Sequence, residues 1–208
     1  MSVKMVETKK EKTRAAIKKS ARKIFARCGF ETANVSDIVN ELGLAQGTFY
    51  YHFPDKKSAL VEILDDFFGQ VRELVAAWAE TTDTSRDAVR QFAGRLTLVF
   101  YKNRELAHIL MRESSSPDPE IRRKIREFYE FLYEKSQRGL ELGMALGAVR
   151  PLDPKLAAIA LVGQIQMTVF ELVARGGKVE LDHVVEELTA LQNYGIRPRN
   201  DCPGKSLP

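Results

Sequence analysis

The chain has 208 residues, 44% hydrophobic and 29% charged, a balance ordinary for a globular protein of one large or two small domains with a buried core. No apolar run approaches the roughly 18 residues of a membrane span, and no apolar segment of the kind a secretory leader needs follows the lysine-rich N-terminus, so a cytoplasmic location is expected. The net charge of +4 is uneven: residues 1–60 hold twelve Lys/Arg against six Asp/Glu, whereas the remainder is slightly acidic, which fits a phosphate-rich partner for the N-terminal segment.

Residues 1–8 are polar and expected to fray. From Lys9 to Cys28 the pattern predicts a helix with Ile17, Ala21, Ile24, Phe25 and Cys28 on one face, ended by Gly29. Cys28 and Cys202 are far apart and have no metal or redox spacing, so Cys28 reads as a small buried hydrophobe. Asn34 is placed to cap a short helix from Val35, with Asp37 at its third position. Asp55 caps the next helix, in which Leu60, Ile63, Leu64, Phe67, Phe68, Val71, Leu74, Val75 and Trp78 keep helical period. The polar string at 81–85 ends it.

Thr84 and Asp87 start a further helix with Phe92, Leu96, Val99 and Phe100 inside. Asn103 interrupts, and a short helix follows over Leu106–Arg112. The SSSPDP segment at 114–119 is a loop that ends in an Asp118 cap with Pro119 in the first turn. A long helix then runs to about Leu146, and its Gly139, Gly143 and Gly147 are spaced for close helix approach. Asp153-Pro154 repeats the capped start. The helix from Pro154 to Ala174 is nearly apolar all round and ends at Gly176-Gly177. A last helix spans roughly Leu181–Asn193, and the tail, with three prolines, is expected to be disordered. No segment reads as a strand, so the expected fold is all-α with about nine helices. Its expected units are a three-helix domain at 1–55, a larger helical domain at 56–195, and a tail at 196–208.

The stretch Val35–Phe53 organises the rest. Val35, Ile38, Val39 and Leu42 recur at i, i+3, i+4 and i+7, Gly43 stops that helix, and a second short segment follows whose Phe49, Tyr50 and Phe53 can pack back on it. Two short helices joined by a tight turn make a helix-turn-helix. The second carries hydrogen-bonding side chains with no fixed negative charge, as suits a helix laid in a DNA major groove. Gln46, Gly47, Thr48 and Tyr51 are the candidates for base contact, since an amide can pair two ways with adenine and Thr48 offers both a methyl and a hydroxyl. Asn34, Ser36, Tyr50, His52 and Lys56 are the candidates for phosphate contact. The competing reading of any one of them is a solvated side chain, or for Tyr50 a mostly buried ring.

These residues also carry a likeness. Gly29-Phe30, Asn34–Ile38, Leu42-Gly43-Leu44, Gly47–Phe53 and Asp55-Lys56 resemble the signature of the TetR family of bacterial transcriptional regulators, over about residues 10–60. Ala45 stands where that family more often has Ser or Thr, so no phosphate contact is assigned to its side chain. The resemblance implies a homodimer built from the last two helices and a small-molecule cavity in the helices between. Candidate dimer residues are Ala157, Ala160, Gly163, Met167, Phe170 and Ala174, because a helix apolar on every side must be covered on every side. Candidate effector residues are Phe92, Phe100, His108, Met111, Phe128, Phe131, Met144 and Met167, with plain core packing as the competing reading. Few charges fall in these stripes, which favours a hydrophobic effector.

Enzyme signatures are absent from the sequence, and His52, His108 and His183 lack metal-ligand spacing, so neither catalysis, metal nor cofactor is expected. The expected function is a one-component transcriptional regulator. It would be a repressor that binds a pseudo-palindromic operator as a homodimer and is released by a small hydrophobic effector. The alternatives are a ligand-independent regulator or activator, and a helical carrier or enzyme.

Overall fold

Side chains that satisfy otherwise unpaired backbone N–H groups set four of the helix starts among the described residues. A computed structural model describes residues 8–79, 86–174 and 180–194. These residues form α1 (Lys9–Cys28), α2 (Val35–Asn40), α3 (Gln46–His52), α4 (Lys56–Ala79), α5 (Arg86–Lys102), α6 (Arg104–Glu113), α7 (Pro119–Ala145), α8 (Pro154–Ala174) and α9 (Leu181–Tyr194), with no strand among them. Thr8 and Glu11 form a reciprocal capping box on α1. The Asp55 carboxylate accepts from Ser58 N at 2.7 Å, Asp118 from Glu120 N and Ile121 N, and Asp153 from Lys155 N and Leu156 N. Asn34 is an exception: it occupies the cap position of α2 by backbone alone, and its exposed side chain makes no cap bond. Of residues 1–8, expected to fray, Thr8 is instead held by its capping box with Glu11, and the others, like the expected Thr84 start, the Gly176-Gly177 stop and the C-terminal tail, lie outside the described residues.

α4 is the spine. Leu60, Ile63, Leu64, Phe67, Phe68, Val71 and Val75 line its buried face at helical spacing. It packs with α1 (Ile17, Ala21, Ile24, Phe25), α5 and α7, and the buried residues of α2 (Ile38, Val39), α3 (Phe49) and α6 belong to the same apolar cluster. Phe68 stacks on Phe128 of α7 with ring centroids 4.0 Å apart, and Phe67 meets Phe100 edge-on at 5.2 Å. Burying a phenylalanine contributes about 1.5–3 kcal/mol relative to exposure, so this aromatic group is a main source of stability in the larger domain. The buried side chains form one cluster that runs through the 55/56 boundary without a break.

Two expectations change. Of the three spaced glycines, Gly139 and Gly143 in α7 and Gly147 just past its end, only Gly143 is closely approached, and not by another helix: a Cβ there would lie 2.6 Å from Val149 Cγ2, where the chain folds back after the positive-φ turn at Gly147. Further, Pro154–Leu172 is long and apolar enough by length and composition to cross a membrane, with only 17% of that window buried. Lys155, Gln164, Gln166 and Glu171 interrupt it, so it does not read as an unbroken apolar run. α8 buries Ala158, Ile165 and Val169 but exposes Leu156, Ile159 and Met167, the last at 47%.

Candidate DNA-recognition surface

The turn between α2 and α3 is closed by the backbone. Gly43 adopts φ +66°, and Leu44 N returns to Val39 O at 3.0 Å, a geometry that costs a residue with a Cβ about 1–2 kcal/mol. The Ser20 hydroxyl of α1 lies within hydrogen-bond reach of two acceptors at the end of α2, Ile38 O at 2.8 Å and the Glu41 carboxylate at 2.6 Å, and its one proton serves either, while Lys23 pairs with Glu41.

α3 is held from one side. Phe49, His52 and Phe53 are buried, whereas Gln46, Gly47, Tyr50 and Tyr51 are exposed, Tyr51 at 69%. Thr48 is half-buried at the edge of this face, and a Cβ added at Gly47 would meet nothing within 4 Å. The four residues expected to read bases therefore lie together on the open side of one short helix. Of the expected phosphate contacts, Asn34 and Tyr50 are exposed and Ser36 is half-buried.

Two others are engaged elsewhere. His52 is buried, with Nδ1 lacking any hydrogen-bond partner. Burial, and then the nearby Arg14 and Lys10 cations, push its pKa below the usual value, so protonation in acid is opposed rather than favoured. Arg14 donates to His52 O, pairs with Glu62, and lies over the Phe53 ring. Lys56 donates to three carbonyls, Phe30 O and Glu31 O at 2.8 Å and Ala33 O at 3.1 Å, so that it staples the α1–α2 loop to the start of α4. Lys57 pairs with Asp118 and Glu120 at 2.9 and 2.8 Å and ties the start of α4 to α7; its pKa is raised chiefly by the Glu120 bond.

A cation that the helix-turn-helix pattern does not contain joins the surface. Lys10, in the first turns of α1, holds Nζ 5.2 Å from the Tyr51 ring centroid. The only sequence signal was the basic N-terminal composition.

The expected effector residues do not gather around one opening. Phe100 and Phe128 are core, Phe92 stacks on Trp78, His108 lies against Phe170, Arg72 and Lys135 cover Phe131, Met144 is half-buried, and Met167 faces outward. Sequence reasoning missed the polar group among them. The buried Tyr129 hydroxyl lacks a hydrogen bond of ordinary geometry, although the side chain of Gln166 is near it; the Gln166 amide nitrogen reaches Met111 Sδ at 3.5 Å. Burial pushes the Tyr129 pKa well above the usual phenol value. Gln164 Nε2 is likewise buried without an acceptor. Two glutamines in the middle of a mostly apolar helix were the available sign. Of the expected dimer residues, Ala160 and Met167 are exposed, Ala157, Gly163 and Phe170 half-buried, and the Ala174 side chain lies outside the described ones. No group of His, Cys, Asp and Glu suited to a metal occurs among the described residues.

A basic, all-helical head that displays the amide, hydroxyls and phenols of a short second helix defines a helix-turn-helix DNA-binding regulator. Residues 17–63 match the family of bacterial regulatory proteins of the tetR type, and residues 82–191 match the tetracyclin repressor-like C-terminal domain. The chain belongs to the TetR family. It is 28% identical to the HTH-type transcriptional repressor KstR2 of Rhodococcus jostii, over 85% of this chain and 87% of that one. It is 24% identical to a fatty acid metabolism regulator protein of Bacillus subtilis, over 85% and 92%. A solved structure of the regulator FadR from Bacillus subtilis in complex with stearoyl-CoA shares the fold, with a TM-score of 0.70 at 24% identity over 88% of this chain and 99% of that one.

Proposed function

We propose that the protein is a cytoplasmic repressor that binds a pseudo-palindromic operator as a homodimer and is released by a small effector with a hydrophobic body. The observation that carries the operator reading is the shared open face of Gln46, Gly47, Thr48, Tyr50 and Tyr51 on α3, flanked by Lys10. Gln46 and Thr48 read bases, and Asn34, Ser36, Tyr50 and Lys10 hold phosphates. The half-exposed apolar side of α8 supports the dimer: Leu156, Ile159, Ala160 and Met167 need a cover that a second copy supplies.

The effector reading rests on the buried Tyr129 hydroxyl, with only the Gln166 side chain near it, beside an aromatic core, and on relatives named for fatty acid metabolism or crystallised with stearoyl-CoA. A long-chain acyl thioester fits both, with a carbonyl accepting from Tyr129. Release requires only a preference for the non-binding conformation, and a hundredfold preference corresponds to about 2.7 kcal/mol of coupling.

The deciding experiment selects genomic fragments with the purified protein, then measures affinity for the selected site with and without stearoyl-CoA. A two-fold-symmetric consensus whose complex dissociates on adding the thioester is the expected result. Failure to enrich any sequence would overturn the operator reading, and enrichment without ligand response would overturn the effector reading alone.

A further inference from the structure

The larger domain sends one carboxylate into the DNA-binding head. Glu113, the last residue of α6, is buried, and no Lys or Arg pairs with it among the described residues. A negative charge in the last turn of a helix opposes the macrodipole, and a buried one without a cation is costly. What Glu113 holds is backbone: its Oε1 accepts from Phe30 N at 3.1 Å, eighty-three positions earlier in the chain. The Phe30 carbonyl in turn accepts from Lys56. Phe30 is thus gripped at both ends, its N–H by an anion of the larger domain and its C=O by a cation at the start of α4. Beside it, Arg112 donates to Arg27 O at 3.3 Å, and its guanidinium lies 3.5 Å from where a Cβ at Gly29 would stand. The loop so held runs directly into Asn34, Ser36 and α2, on which the Gly43 turn sets α3.

The same turn of α6 meets the proposed effector site on another side. Met111, two positions before Glu113, accepts from the Gln166 amide at 3.5 Å, and the Gln166 side chain also lies near the Tyr129 hydroxyl. We propose that Glu113 is a positioning residue for operator recognition. From outside the head it fixes the α1–α2 loop, and with it Asn34, Ser36 and α3, so that a displacement of α6 at Met111 moves the reading surface directly. The positioning role rests on the operator reading, and its control through Met111 rests on the effector reading. A carboxylate makes a stronger hydrogen bond to an N–H than a neutral acceptor does, and a buried N–H with no acceptor is worse than either.

Hydrogen exchange of the full-length protein, read at single amides by NMR, tests the contact without DNA or effector. The Phe30 amide should be protected at least a thousandfold relative to an unstructured peptide. Exchange at the unstructured rate would overturn the proposal, and that measurement stands even if a variant fails to fold. Glu113→Leu should speed Phe30 exchange at least a hundredfold while changing the Leu60 and Leu64 amides of α4 less than threefold. Glu113→Gln, which keeps an acceptor, should hold Phe30 within tenfold of the parent. Affinity for the selected operator should fall at least tenfold in Glu113→Leu and stay within threefold of the parent in Glu113→Gln; equal affinity in all three proteins would remove the positioning role. Stearoyl-CoA should then speed Phe30 exchange in the parent at least fivefold. If the thioester shifts the Gln166 side-chain amide but leaves Phe30 unchanged, α6 does not carry the signal. If it shifts neither, the effector reading fails and control through Met111 fails with it, while the Phe30 and operator results still decide the positioning role.

Discussion

Lys10 Nζ stands 5.2 Å from the centre of the Tyr51 ring, so the first turns of α1 and the exposed face of α3 form one surface although forty-one positions separate the two residues. Lys10→Ala should therefore weaken binding to all DNA sequences alike and reduce the slope of log affinity against log salt by about 1. Binding measured across 50–200 mM salt checks this. An unchanged slope would place Lys10 away from the phosphates.

Gln46→Ala should act differently. Loss of a bidentate base contact costs about 1–3 kcal/mol at the preferred site and relaxes preference at one position, with the salt slope unchanged. Competition between the selected operator and single-base variants separates this outcome from general weakening.

Lys56→Met tests a structural role where the sequence suggested a phosphate contact. Three carbonyls, those of Phe30, Glu31 and Ala33, lose a charged donor, so the melting temperature should fall with a loss of roughly 1–3 kcal/mol. A protein that melts as before yet loses one unit of salt slope would restore the phosphate assignment.

His52 sets a pH dependence whose sign follows from its lowered pKa. The unfolded chain takes up a proton near pH 6.5, whereas the folded one resists until lower pH, so stability should fall as pH drops below about 6.5 and level off under the folded value. Glu41, Asp55, Glu62 and Asp118, with lowered carboxylate values, add their losses only at more acidic pH. Denaturant midpoints of the parent and of His52→Gln between pH 7.5 and 5 should diverge in that window, the variant being flatter.

Ile159→Lys with Met167→Glu should shift the protein to monomer in sedimentation while leaving its helix content intact, since both side chains are exposed in the single chain. Operator affinity should drop at least a hundredfold, because one reading helix replaces two.

The order and limits of the helices were readable because apolar periodicity and cap residues act over three or four positions: Asp55, Asp118 and Asp153 each bond within their own turn. The turn at Gly43 was readable for the same reason. The burial of His52 was signalled as well, since it falls at i+3 from Phe49 and beside Phe53, but the motif drew it toward DNA. No local pattern reports the capture of distant carbonyls by Lys56, the pairing of Lys57 with α7, or the approach of Lys10 to Tyr51. These depend on how helices far apart in the chain are set against one another. The scatter of the expected effector residues has the same origin: an apolar stripe looks alike whether it closes on itself, as at Phe128, or stays outside, as at Met167.

Because the apolar interior runs without interruption along α4, the reading head is poorly suited to transplantation. A fragment cut at residue 55 would strip Leu60, Ile63 and Leu64 from the cluster that also holds Ile17, Phe25 and Phe49, so chimaeras with related regulators should be joined beyond Val71 and not at the head's nominal border.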